Sequence, residues 1–231
     1  MNLLEKITRC IKNPTDAISY LTWINYCYSQ TWEDLILKYL IHKKPSWTYI
    51  DIWANEPRRF NNTYMFYKYW WRGINVEPNR NLIKKFIRQR PDDINLQIAC
   101  WSWSELEFFE FHPHTMSTCD PEAAERYQNQ WLHLLGSYSV PTLTLAQIFH
   151  KYYGDRYVDI LSVDVEWYDM DVLVSNNREL YRPWFVILET VEYWWNDLWK
   201  KLNNIYDIYM KSIWYEIFAD TYINTIYKNI H

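Results

Sequence analysis

Glycine is nearly absent from this chain. Only 3 of its 231 residues are glycine, where an average chain of this length carries about 16. The scarcity excludes glycine-dependent devices: neither a GxGxxG dinucleotide turn nor a GxxxxGK[ST] phosphate loop is present. Cysteine is sparse as well. Cys10, Cys27, Cys100 and Cys119 form neither a CxxC pair nor a dense disulfide framework, so a reducing compartment and mostly buried thiols are expected. Positive charge is not in excess, and the net charge of -4 gives no general drive toward nucleic acid or anionic membrane. The short basic stretch Lys84, Lys85, Arg88, Arg90 reads as the solvated face of a helix. No uncharged run approaches the length of a bilayer span. The opening MNLLEKITRCIKNPTD is interrupted by charge too often for a signal peptide. A cytoplasmic protein is expected, with no nucleic-acid partner and no stable membrane insertion.

Tryptophan is what the chain has instead, 15 residues of it. The surplus roughly matches the glycine deficit. Several of these tryptophans stand after a strand, before an acidic turn or beside a charged segment, where a backbone commonly uses glycine.

The periodicities predict an α/β domain. Residues 1–28 read as a helical or irregular N-terminal arm, and 29–231 as one domain. TWEDLILKYL is a short amphipathic helix, WTYIDIW (47–53) a buried strand, and a helix follows around Thr63–Tyr69. RGINVEP (72–78) is a second strand, after which Asn79 caps a helix through Arg88. DINLQIAC (93–100) is a third strand and ELEFFEF an outer or hairpin strand. Residues 112–137 break the strand–helix repeat and read as an insertion covering one face. VPTLTLAQIFHKYYGD gives a strand, Thr144 as cap and a helix ending near Gly154. VDILSVDVE (158–166) and WFVILET (184–190) are further strands, 196–212 a helix, and WYEIFAD with TYINTIYKN a closing antiparallel pair. Strands joined by helical crossovers imply a mostly parallel sheet with helices on both faces. Ligands of such sheets sit at the carboxyl ends of the strands. The acids there are Asp51, Glu77 and the pair Asp164 and Glu166. Glu77, ending the second strand, stands where an acid accepts hydrogen bonds from ribose hydroxyls. By chemistry alone that site serves a nicotinamide cofactor or S-adenosylmethionine.

The phrases SQTWEDLIL, YIDIWANEP, NNTYMFYKYWWRGINVEPN, LSVDVEWYDMDVL and YRPWFVILE, in that order, resemble the FkbM family of S-adenosylmethionine-dependent methyltransferases. The likeness runs from about Ser29 to Lys228. It implies a Rossmann-like methyltransferase fold, S-adenosyl-L-methionine as cofactor, and methyl transfer to a hydroxyl of a sugar, polysaccharide precursor or other small metabolite. Carried onto this chain, Asp51 through Asn55, with Trp53 between them, match the first cofactor motif. Glu77 matches the ribose-binding acid. Ala99 and Cys100 fall at the strand end where similar enzymes place adenine. Asp164 and Glu166 match the family's DxEG segment at the methyl-transfer centre. The resemblance also sets Trp32, Trp53, Trp70, Trp103, Trp167 and Trp214 at family glycines, whereas Trp71 matches a family tryptophan. Two explanations stand open: a UGA codon read as tryptophan where the source reads glycine, or an authentic variant with a damaged pocket.

Among other candidates, His112 and His114 flank Pro113, and His114 could act as a general base. Ser117 and Thr118 could bind a sugar hydroxyl or cap the next helix. Trp194 and Trp195 could stack on a sugar face. No run of His, Cys, Asp and Glu has dedicated metal-ligand spacing, so no metal is expected. The acceptor is expected to be a small molecule or glycoside. The alternatives are a noncatalytic sugar- or protein-binding module on the same fold, or an enzyme using a nucleotide sugar.

Overall fold

The computed structural model describes residues 26–39, 46–102, 104–154, 156–165, 168–194, 197–201 and 203–231. The N-terminal arm up to residue 25, Glu166, Trp167, Trp103 and Trp195 lie outside the described residues. The chain runs α1 (Glu33–Lys38), β1 (Thr48–Ile52), α2 (Tyr64–Lys68), β2 (Arg72–Val76), α3 (Arg80–Gln89), β3 (Ile94–Leu96), β4 (Ala99–Cys100) and β5 (Glu105–His112). It continues through α4 (Pro121–Asn129), β6 (His133–Leu143), α5 (Leu145–Tyr152), β7 (Ile160–Val163), α6 (Asp169–Val174) and β8 (Phe185–Glu189). It closes with β9 (Val191–Trp194), β10 (Asp197–Lys201), α7 (Asn203–Ser212), β11 (Tyr215–Asp220) and β12 (Asn224–Asn229).

Seven strands form the central sheet in the order β11-β12-β8-β7-β1-β2-β3. Strands β8, β7, β1, β2 and β3 are mutually parallel, while β12 runs antiparallel to both β8 and β11. The fold is therefore the expected Rossmann-like α/β one with a C-terminal antiparallel hairpin. Parallel strands buried on both faces need apolar side chains at nearly every position, and β7 (ILSV) is buried throughout. Strand alternation then divides the core in two. Ile50, Leu161, Val186 and Leu188 pack with Leu145, Ile148 and Phe149 of α5, Val172 and Leu173 of α6 and Met210 of α7. Tyr49, Ile160, Phe185 and Ile187 point the other way, onto Leu37 of α1, Phe66 of α2, Trp47 and Trp71. Trp47 stacks between Trp71 and Trp184, with ring centroids 5.7 and 5.3 Å away.

The chain leaves β1 for β2 and β3 on one side and later fills β7 and β8 on the other. The order reverses beside β1, which places the ligand crevice above Asp51.

Four expectations change. The third strand is two: β3 joins the central sheet, and β4 bends away to pair with β6 in a separate three-stranded sheet, β4-β6-β5. Within 112–137, the residues from His133 onward belong to β6. The helix expected from 196 starts at Asn203, after β10 has paired with β9. Arg90 is not on a solvated face. It is wholly buried beyond the end of α3, because Asp93, Asn61 and Thr63 supply its guanidinium with acceptors. Periodicity cannot signal such a residue, since Asn61 and Thr63 come from a segment distant in the chain. Of the described cysteines, Cys100 and Cys119 are buried and Cys27 is exposed; burial pushes both buried thiols up to about 12.

Candidate active site

A cavity of about 940 Å³ opens at the carboxyl ends of β1, β2, β7 and β8. Asp51, Trp53, Asn55, Glu77, Asp164 and Glu189 line it. So do residues of the covering segment, among them His114, Ser117, Asp120 and Arg126. Its size is that of a small-molecule site.

The first wall is the turn after β1. Trp53 and Ala54 both donate their backbone N–H groups to the Val76 carbonyl, at 2.8 and 3.1 Å. The chain reverses there through two left-handed residues, Trp53 (φ 64) and Asn55 (φ 55). Glu77 fixes the turn from the neighbouring strand. Its two carboxylate oxygens accept the backbone N–H groups of Asn55 and Asn79, each at 2.8 Å. Burial pushes the Glu77 carboxyl up to about 8, against the lowering effect of those two amides. Each oxygen retains a lone pair for a further donor. Asn79 also caps α3 by accepting from Asn81 and Leu82. Glu110 of β5 accepts from Asn79 and Asn81 side chains at 3.3 and 2.8 Å, docking the β5–β6 hairpin beside the crevice.

Asp51 forms the floor. It accepts from the Asn61 amide at 3.0 Å and the Thr63 hydroxyl at 2.8 Å. Burial raises it to about 6, partly offset by the Arg90 charge. Arg90 holds Asn61 and Thr63 at 3.0 Å each and pairs with Asp93 at 2.8 Å. The four groups form one buried network under the floor.

The far wall carries Asp164 and Glu189. In the parallel register Val163 lies opposite Leu188, so the residue that follows each strand's last inward position meets its counterpart across the pair. Glu189 hydrogen-bonds Asp164, and loss of solvent raises the Asp164 carboxyl. Two carboxyl groups so placed disfavour the state in which both are ionised. Because β7 ends at Val163, the regular strand expected to align Asp164 with Glu166 stops short of Asp164, and Glu166 lies outside the described residues. Glu189 was not singled out from the sequence; its signal was its place at the end of WFVILET, beside the strand carrying Asp164.

Two acceptors face the cavity with their needs unmet. Among the described residues, Asn55 Oδ1 and Asn62 Oδ1 are buried with no hydrogen-bond partner, and both residues line the cavity. With Glu77, they make a site short of donors, suited to a ligand bearing hydroxyl or ammonium groups.

The remaining candidates are placed as follows. Ala99 and Cys100 are buried and pair with Thr142 and Leu143 of β6; they belong to the core and not to the cavity wall, because the chain has left the central sheet by residue 99. His114 lies in a single 3-10 turn, its Nε2 3.8 Å from Glu56. Ser117 accepts the Phe111 backbone N–H, and Thr118 accepts that of Asp120, the residue that caps α4. Both hydroxyls pin the covering segment, and Ser117 also faces the cavity. The Trp194–Trp195 pair falls partly outside the described residues.

The sequence profile of the Methyltransferase FkbM domain matches residues 51–215. The chain belongs to the FkbM methyltransferase family. No curated protein and no solved structure matches it. In this FkbM methyltransferase the matched span begins at the carboxylate that floors the cavity and ends as β11 begins. It thus encloses every strand end that builds the site. Among the described residues no helix is long and apolar enough to cross a membrane.

Proposed function

We propose that this chain transfers a methyl group from S-adenosyl-L-methionine to a hydroxyl of a sugar, polysaccharide precursor or other small metabolite. The observation that carries the reading is Glu77, buried at the end of β2 with each oxygen held by one backbone amide and with partnerless Asn55 Oδ1 nearby in the same wall. Ribose hydroxyls are donors that suit Glu77, and the ammonium of the methionyl part suits the asparagine acceptors.

The cofactor supplies an electrophilic methyl on a sulfonium. The chain's own groups do the rest. Asp51, Asn61 and Thr63 set the shape of the floor, and the Arg90 network holds them rigid. The covering segment presents His114, Asp120 and Arg126 to the other half of the cavity, a polar lining that fits an acceptor rich in hydroxyls. With the cofactor bound, such an acceptor would have its hydroxyl positioned by this lining for methyl transfer, and that hydroxyl would have to give up a proton. The Asp164–Glu189 pair takes that proton. His114 is the second base within reach of the cavity.

Calorimetric titration with S-adenosylmethionine, S-adenosylhomocysteine, a uridine diphosphate sugar and NADH tests the reading. Binding of the first two alone is expected. Binding of the nucleotide sugar or of NADH in their place contradicts it.

A further inference from the structure

Five tryptophans sit in left-handed backbone: Trp32 (φ 74), Trp53 (φ 64), Trp70 (φ 68), Trp131 (φ 68) and Trp214 (φ 69). Bulky L-residues avoid that region because Cβ crowds the backbone, and glycine enters it freely. Aromatic bulk does not account for the choice. Of the chain's 9 phenylalanines and 21 tyrosines, only Phe60 and Tyr222 join these five tryptophans among the described residues.

Three of the five occupy one structural position. Trp70, Trp131 and Trp214 each stand two residues past the last residue of α2, α4 and α7, where a left-handed glycine commonly ends a helix. At α2, Trp70 donates its N–H to the Tyr67 carbonyl while Trp71 donates to Phe66. At α4, Trp131 donates to Gln128 while Leu132 donates to Tyr127. These are the paired bonds of the Schellman ending. At α7, Trp214 donates to Lys211. Helix α5 ends with the same offset and the same hand, and there the residue is Gly154 (φ 57), donating to Phe149 and His150.

Burial separates six of the described tryptophans into two sets. Trp32, Trp70, Trp131 and Trp214 are more than half exposed, Trp131 by 94%. Trp47 and Trp71 are 1% and 4% exposed, stack on aromatic neighbours and have ordinary φ. The second set behaves as tryptophan should. The first behaves as glycine with an indole added.

We infer that the protein made in its source cells carries glycine at positions 32, 53, 70, 131 and 214. Each would come from a UGA triplet, which lies one base from the glycine codon GGA and one from the tryptophan codon UGG and is read differently by different genetic codes. Trp131 enters this set on backbone geometry alone. The consequence reaches the site at one position. Trp53 lines the cavity and packs against Phe108 of β5, ring centroids 5.9 Å apart; with glycine there the turn keeps its path and the indole's space joins the cofactor wall. Residue identity at these positions is independent of what the cavity binds, so this inference and the methyl-donor reading fail separately.

Mass spectrometry of peptides from the protein isolated from its source cells decides it. Glycine at all five positions, with tryptophan at 47 and 71, is the expected result. Tryptophan at even one of the five overturns the rule that backbone hand decides. A second measurement reads the backbone directly in protein made with tryptophan throughout. The triple variant Trp70→Gly, Trp131→Gly, Trp214→Gly is expected to raise the melting temperature by several degrees, and Trp71→Gly to lower it. A fall in the triple variant overturns the inference.

Discussion

Glu77 concentrates the chemistry of the site in one side chain. Its carboxyl is raised to about 8 by burial, so near neutral pH the ligand-free protein holds it largely protonated. Ribose hydroxyls bind better to the ionised form, which accepts at both oxygens. Affinity for S-adenosylmethionine is therefore expected to rise as pH passes upward through about 8, with proton release on binding, and calorimetry in buffers of different ionisation enthalpy measures both. Glu77→Gln removes the charge and is expected to weaken binding at least tenfold, about 1.5–3 kcal/mol for hydrogen bonds to a charged group, and to abolish the pH dependence. The far wall has its own prediction. Asp164→Asn or Glu189→Gln is expected to lower kcat by about 10²-fold or more, as loss of a general base does, while cofactor affinity changes only a few-fold; equal losses in both would assign the pair to binding. The sequence disclosed Glu77 and Asp51 because strand-end acids are visible in it. Arg90 and the Asp164–Glu189 contact were hidden, because each depends on segments distant in the chain meeting in space.

Helix ends were legible to different degrees. Asn79 and Thr144 were readable as caps, and Thr144 forms a full capping box with Gln147. Thr144→Ala is expected to cost about 1 kcal/mol, read as a drop in melting temperature. The C-terminal ends were obscured by the residue that stands in them. A left-handed position costs an L-residue roughly 1–2 kcal/mol, and glycine is the sign by which such an ending is recognised. With tryptophan there, only the family likeness flagged 70 and 214, and nothing flagged 131. The split of the third strand into β3 and β4 was invisible for another reason: INL and AC lie in one strand-like stretch with no turn residue between them, and only the pairing of Ala99 with Thr142 shows that the chain has changed sheets. That change sets Ala99 and Cys100 apart from the residues lining the cavity.

At the scale of the whole molecule, the sheet order follows from buried apolar strands and helical crossovers, both present in the sequence. Its reversal beside β1 brings Asp51, Glu77 and Asp164 to one crevice. Among the carboxyls raised in the folded state, Asp51, to about 6, and Glu77, to about 8, make stability depend on pH. The folded protein holds these protons longer than the unfolded chain. Their contribution is thus fully present below about pH 4 and is lost as pH rises through 6 and then 8. The ligand-free protein is expected to melt at progressively lower temperature across that window, and Glu77→Gln to flatten its upper part. A rising melting temperature there would mean that these carboxyls are ionised in the folded protein. In the proposed function, the crevice above β1 holds the methyl donor. A crystal structure of the Trp53→Gly protein with S-adenosylhomocysteine tests it most directly. Ribose hydroxyls on Glu77 and the methionyl ammonium at Asn55 or Asn62 are the predicted result; ligand bound away from these residues would contradict it.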